Sequence, residues 1–147
     1  MENYRHILCP TDFSAHCRRA IERARELADH YGAKLTLLHV IDYFPEEIPN
    51  DWIPPEDRDP ERYLAERADA MLKELASSME LGEVELVSRM SSSSAKHEIS
   101  DFAASREVDL IVMSSHAHRG IFSLLGSTAA GVVHAAPCDV MVIRARE

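Results

Sequence analysis

Five short apolar runs alternate with four stretches of helical periodicity along this 147-residue chain. The runs are Tyr4 to Cys9, Lys34 to Ile41, Val84 to Arg89, Val108 to Met113 and Val140 to Ile143. Short strands separated by helix-length segments predict β-α-β units, which pair their strands in parallel and carry a helix in each crossover. Val108 to Met113 is apolar throughout, the pattern of a strand covered on both faces. The rhythm predicts an α/β protein: a single-domain, open five-stranded parallel sheet with helices on both faces. A length of 147 residues fits one domain, residues 1–147, and is enough to bury roughly two thirds of the unfolded surface.

The helices carry their own signals. Ser14 is placed to cap a helix to Tyr31, and Gly32 stands where a terminating glycine belongs. Cys17, Ala20, Ile21, Ala24, Leu27, Ala28 and Tyr31 recur three and four apart and make its apolar face. A second helix is expected from Glu61 to about Leu81, with Leu64, Ala68, Met71, Leu72, Leu75 and Met79 inward and Gly82 ending it. The Ser91–Ser94 run reads as a polar loop and cap before a third helix holding Ile99, Phe102 and Ala103. A fourth runs from Thr128 to Ala136. Residues 42–60 break the pattern, with five of the seven prolines and seven acids against one arginine. Such a stretch suits a surface loop and neither a regular helix nor a central strand.

The net charge of −9, from 16 basic and 25 acidic residues, argues against a duplex-binding protein or one held to anionic membrane. Three cysteines, Cys9, Cys17 and Cys138, lack a disulfide framework and read as reduced, buried small hydrophobes. Met1 to His6 has no apolar signal core, and no run reaches the ~18 residues of a membrane span. A cytoplasmic location is expected.

The richest chemistry lies between the fourth strand and the fourth helix, in Ser114-Ser115-His116-Ala117-His118-Arg119-Gly120-Ile121-Phe122-Ser123-Leu124-Leu125-Gly126-Ser127-Thr128. A strand, a loop of small and cationic residues and a helix start build an anion site, because exposed N–H groups and the helix dipole converge on one point. Gly126 permits close backbone approach, Ser127 and Thr128 offer hydroxyls, and His116, His118 and Arg119 offer cationic or hydrogen-bonding side chains. Taken alone, Gly126-Ser127 is more simply an empty helix cap. Asp12, just past the first strand, stands where ligands bind in open α/β sheets; a turn aspartate is the competing reading. His116 and His118 lack a neighbouring Cys or acid at zinc-ligand spacing. A nucleophile elbow, paired catalytic carboxylates and a P-loop lysine are absent from the sequence.

Taken together, Ile7-Leu8-Cys9-Pro10-Thr11-Asp12-Phe13-Ser14, Leu35 to Val40, Asp109 to His116 and Leu124-Leu125-Gly126-Ser127-Thr128 through Ile143 resemble the universal stress protein family from Tyr4 to Arg144. The resemblance implies a Rossmann-like sheet of the adenine nucleotide alpha hydrolase type, with the first and fourth strands adjacent. It implies ATP or another adenine nucleotide as ligand, alone or with Mg²⁺. Adenine and ribose would meet Pro10, Thr11, Asp12 and Val40. The phosphates would meet Met113, Ser114, Ala117, Gly126, Ser127 and Thr128, with His116, His118 and Arg119 beside them. Ser114 and Ala117 replace the first two glycines of the family's ATP motif, and eight residues, not nine, separate Ala117 from Gly126. A shortened Ser-His loop of this kind occurs in a nucleotide-binding branch of the family.

The function implied is a nucleotide-binding homodimer, paired through Val140 to Ile143, that acts in stress response through a protein partner not named by the sequence. The alternatives are a nucleotide-free interaction dimer and a slow ATP hydrolase. Hydrolysis is expected to be negligible, with His118 the best candidate for activating water.

Overall fold

Strands form where β-branched and leucine-rich runs can be covered on both sides, and the computed structural model, which describes residues 3–42, 59–91, 94–115 and 127–144, realises this in alternating order. The elements are β1 (His6–Pro10), α1 (Cys17–Tyr31), β2 (Lys34–Asp42), α2 (Pro60–Ser78), β3 (Glu85–Ser91), α3 (Ala95–Ser105), β4 (Leu110–Ser114), α4 (Ser127–Ala135) and β5 (Asp139–Ile143). All strand pairs are parallel, in the order β3-β2-β1-β4-β5. The expected α/β class, the parallel five-stranded sheet and the adjacency of first and fourth strands are all present.

Side chains alternate across the sheet and divide the core in two. Ile7, Cys9, Leu35, Leu37, Leu110 and Val112 face α1 and α2, packing on Ala20, Ile21, Ala24, Ala28 and Leu72. Leu8, Leu38, Ile111 and Met113 face α3 and α4, packing on Ile99, Phe102, Ala103, Ala129 and Val132. The chain steps outward from β1 through β2 to β3, returns to β4 beside β1, and steps outward again to β5. This reversal puts the topological switch point at the carboxyl ends of β1 and β4, the general ligand position in open α/β sheets.

The opposite ends of the strands are closed by satisfied polar contacts. Asp109 accepts the N–H groups of Arg5 and His6 at 2.9 and 3.1 Å. His6 Nε2 lies 2.8 Å from Thr36 Oγ1, which donates to Glu85 Oε1 at 3.2 Å. The hydrogen bond from Lys34 holds the Glu85 carboxyl below its ordinary range.

Element boundaries shift where local hydrogen bonds compete. The helix expected to be capped by Ser14 begins at Cys17: the intervening residues form tight turns, Cys17 N to Ser14 O and Arg18 N to Ala15 O, and the Ser14 hydroxyl donates to Cys17 Sγ. Gly32 closes α1 at φ 65°, as the sequence predicts. α2 starts on Pro60, whose missing N–H costs nothing at a first helical position, with Asp59 accepting from Glu61 N. Glu80 and Gly82 both adopt positive φ after α2, so the turn that ends it is not glycine's alone. The proline-rich loop between Asp42 and Asp59 lies outside the described residues. No helix among the described residues is long and apolar enough to cross a membrane.

Candidate functional site

β1 pairs with β2 as far as Pro10 opposite Leu38, and Thr11 N donates to Leu38 O at 2.9 Å. β2 then runs on to Asp42 alone on this side. Because alternate residues of a strand present their peptide groups to the same neighbour, the N–H and C=O of half-buried Val40 follow Leu38 on the edge that overhangs the end of β1.

The chain turns away from the sheet through Phe13, which takes φ 67° although it is not glycine. Three contacts fix this turn. Thr11 Oγ1 accepts from Phe13 N at 3.1 Å, and Asp12 Oδ1 accepts from Ser14 N at 2.9 Å. His39 Nδ1 lies 2.8 Å from Thr11 O; a carbonyl only accepts, so the proton of the neutral ring sits on Nδ1. The Phe13 ring covers His39 with centroids 4.4 Å apart and planes tilted by 40°. Burial pushes the His39 pKa down, against the opposing pull of the Thr11 hydrogen bond and the Asp12 charge. Asp12 itself is exposed, just past the carboxyl end of β1. Its Oδ1 also accepts from Cys17 Sγ at 3.0 Å.

On the other side of β1, β4 ends in Met113 and Ser114, both buried, and Ser115 N donates to Ile143 O at 2.9 Å. α4 opens with exposed Ser127 and half-buried Thr128, and is anchored below by Ala129 and Val132. The first peptide N–H groups of this nine-residue helix have no partner within the helix.

Of the residues expected from the sequence, Pro10, Thr11, Asp12 and Val40 lie together at the carboxyl ends of the paired strands β1 and β2. Met113 and Ser114 end the neighbouring strand, and Ser127 and Thr128 begin the helix that follows it. His116, Ala117, His118, Arg119 and Gly126 lie outside the described residues. The sequence does not single out Phe13, His39 or the contact of Cys17 with Asp12. His39 carried one signal, a polar residue near the carboxyl end of an apolar strand. Phe13 carried none, since positive φ is announced by glycine or asparagine. Cys9 and Cys17 are buried as expected, whereas Cys138 is only half-buried. Among the described residues, no group of three or more His, Cys, Asp or Glu side chains could hold a metal ion.

The chain matches the model of the universal stress protein family over residues 3–144. It is 31% identical over 145 residues to universal stress protein A homolog 1 of Coxiella burnetii, with 99% of each chain covered. The solved structure of universal stress protein UspA from Lactobacillus plantarum superposes with a TM-score of 0.72 at 29% identity, covering 98% of this chain and 100% of that one. A universal stress protein from Archaeoglobus fulgidus, solved in complex with dAMP, has the same fold, with a TM-score of 0.68 at 21% identity over 97% and 99% of the two chains.

Proposed function

The chain belongs to the universal stress protein family, and from that premise we propose that it binds an adenine nucleotide, ATP or a close relative, across the carboxyl ends of β1 and β4. The observation that carries this reading is that Asp12 and the start of α4 flank the point where the strand order reverses. The two sides suit opposite ends of such a ligand. An exposed carboxylate accepts hydrogen bonds from ribose hydroxyls or a base amine, and the peptide of Val40 can read the edge of adenine. The N-terminus of α4, with Ser127 and Thr128, favours phosphate through its N–H groups and dipole. The dAMP complex of the Archaeoglobus relative supports the same ligand class.

The nucleotide serves as a ligand rather than a rapidly consumed substrate. Accelerated phosphoryl transfer requires metal, positioned water and charge stabilisation assembled together. In the present reading, the residues named above bind and orient. The module acts as a homodimer paired through the outer edge of β5, where Met141 is exposed and Val140, Val142 and Ile143 are partly exposed. An edge strand of this kind is a template for pairing with a second copy, and the dimer reports nucleotide occupancy to a protein partner.

Titration calorimetry with ATP tests the site. Asp12→Ala should weaken binding about tenfold, equivalent to about 1.4 kcal/mol. Gly126→Val should weaken it further by placing a branched side chain where the phosphates approach. Equal affinity in the wild type and both variants would put the ligand elsewhere.

A further inference from the structure

We propose that Cys17 is a positioning residue of the nucleotide site, its thiol holding the Asp12 carboxylate in the orientation in which it meets the ligand; this role rests on the adenine-nucleotide reading above. Cys17 Sγ lies 3.0 Å from Asp12 Oδ1, the same oxygen that accepts from Ser14 N at 2.9 Å. The two donors differ in origin. Ser14 belongs to the turn that carries Asp12 and follows it wherever the turn goes. Cys17 is the first residue of α1 and part of the core cluster with Cys9, Ala20 and Ile21. The thiol therefore ties the exposed carboxylate to the packed body of the domain.

The chemistry favours donation. Burial first, and the Asp12 charge second, push the Cys17 pKa up to about 11, so the thiol keeps its proton through the neutral range. Ser14 Oγ donates to the same sulfur at 3.7 Å, making a chain from hydroxyl through thiol to carboxylate in which each bond polarises the next. Only 6% of Cys17 is exposed. A protonated, enclosed thiol is a poor nucleophile, which leaves it a structural donor. Rotating Asp12 away breaks both bonds to Oδ1. A ligand thus meets a carboxylate whose rotamer is already set, and little ordering is left to oppose binding.

ATP titrations of the wild type, Cys17→Ala, Cys17→Ser, Asp12→Ala and the Asp12→Ala/Cys17→Ala double variant test this. Cys17→Ala should weaken binding about fivefold, equivalent to about 1 kcal/mol. Cys17→Ser keeps an O–H donor at the same position and should stay within about twofold of the wild type. In the Asp12→Ala background, removing the thiol should change nothing further, the non-additivity of groups acting through one another. Unchanged affinity in Cys17→Ala, or an equal loss with and without Asp12, overturns the role. A second readout is independent of nucleotide: the infrared S–H stretch assigned to Cys17 by its loss in Cys17→Ser should shift in Asp12→Ala, and a band that stays in place overturns the role. Failure of the wild type to bind ATP overturns the nucleotide reading and this role with it. Binding by the wild type with unaltered Cys17→Ala affinity overturns this role alone.

Discussion

Replacing Phe13 by alanine and by glycine separates the two forces at the turn that presents Asp12. Phe13 is half-buried against His39 and holds φ 67°. Removing a fully buried phenylalanine ring costs about 3–5 kcal/mol, so losing a half-buried one should cost about 2 kcal/mol, and both variants lose it. They differ in the backbone. A left-handed conformation costs an alanine about 1–2 kcal/mol and a glycine almost nothing, while the greater freedom of glycine in the unfolded chain returns about 0.4–1 kcal/mol of that advantage. The glycine variant should therefore be the more stable by about 0.5–1 kcal/mol, the reverse of the order at an ordinary helix or strand position. In urea denaturation, with a slope of about 2 kcal/mol per M, the two midpoints should differ by about 0.3–0.5 M. An alanine variant as stable as the glycine variant, or more so, would refute the claim that the turn is strained at Phe13.

Three further outcomes follow from particular contacts. Because burial lowers the His39 pKa below its ordinary 6.5, the unfolded chain takes up this proton first as pH falls; the contribution of the neutral ring is present above about pH 6.5 and lost below it, and His39→Gln should flatten the fall in urea stability between pH 7 and 5. A methyl group at Gly131 of α4 would collide with the Lys96 side chain laid across it; Gly131→Ala should gain part of the about 1 kcal/mol of helix propensity in the Lys96→Ala background, where only the residue 96 Cβ remains, at 3.0 Å, and clearly less with Lys96 in place, as urea denaturation of the four proteins would show. Val142→Asp should convert the proposed dimer to monomer in sedimentation velocity at micromolar concentration; a wild-type monomer, or a dimer indifferent to the substitution, counts against pairing through β5.

The elements were legible in the sequence because their causes are local. The periodicity of Cys17, Ala20, Ile21, Ala24 and Ala28 marks the buried face of α1, and Gly32 marks its end. The apolar run into Met113 marks β4. The order of the strands is not in that pattern; the family resemblance implies the adjacency of β1 and β4, which nothing in either run specifies, and the structure supplies the rest. Candidate site residues stand out for a related reason: strand ends and helix starts are where ligands meet this architecture, so position alone singles out Asp12, Ser127 and Thr128 as candidates. What escaped was set by contacts between distant residues. The bond from His39 to Thr11 spans 28 positions. The link from His6 to Thr36 to Glu85 joins three strands. Ser14 reads as a helix cap because its type is right for one, but its hydroxyl donates to Cys17 Sγ and tight turns at Ser14 and Ala15 precede the helix, which begins at Cys17. Phe13, Glu80 and Glu107 at positive φ are held there by surrounding structure, which no residue type announces.

The most direct test of the account is an ATP titration of isotope-labelled protein, followed through its backbone amide resonances. Binding at the proposed site should give saturable shifts concentrated at Thr11 to Ser14, Val40, Ser114 and Ser115, and Ser127 and Thr128, with His6, Thr36 and Glu85 at the far ends of the strands unmoved. Absence of shifts at millimolar ATP, or shifts centred on that far end, would contradict it.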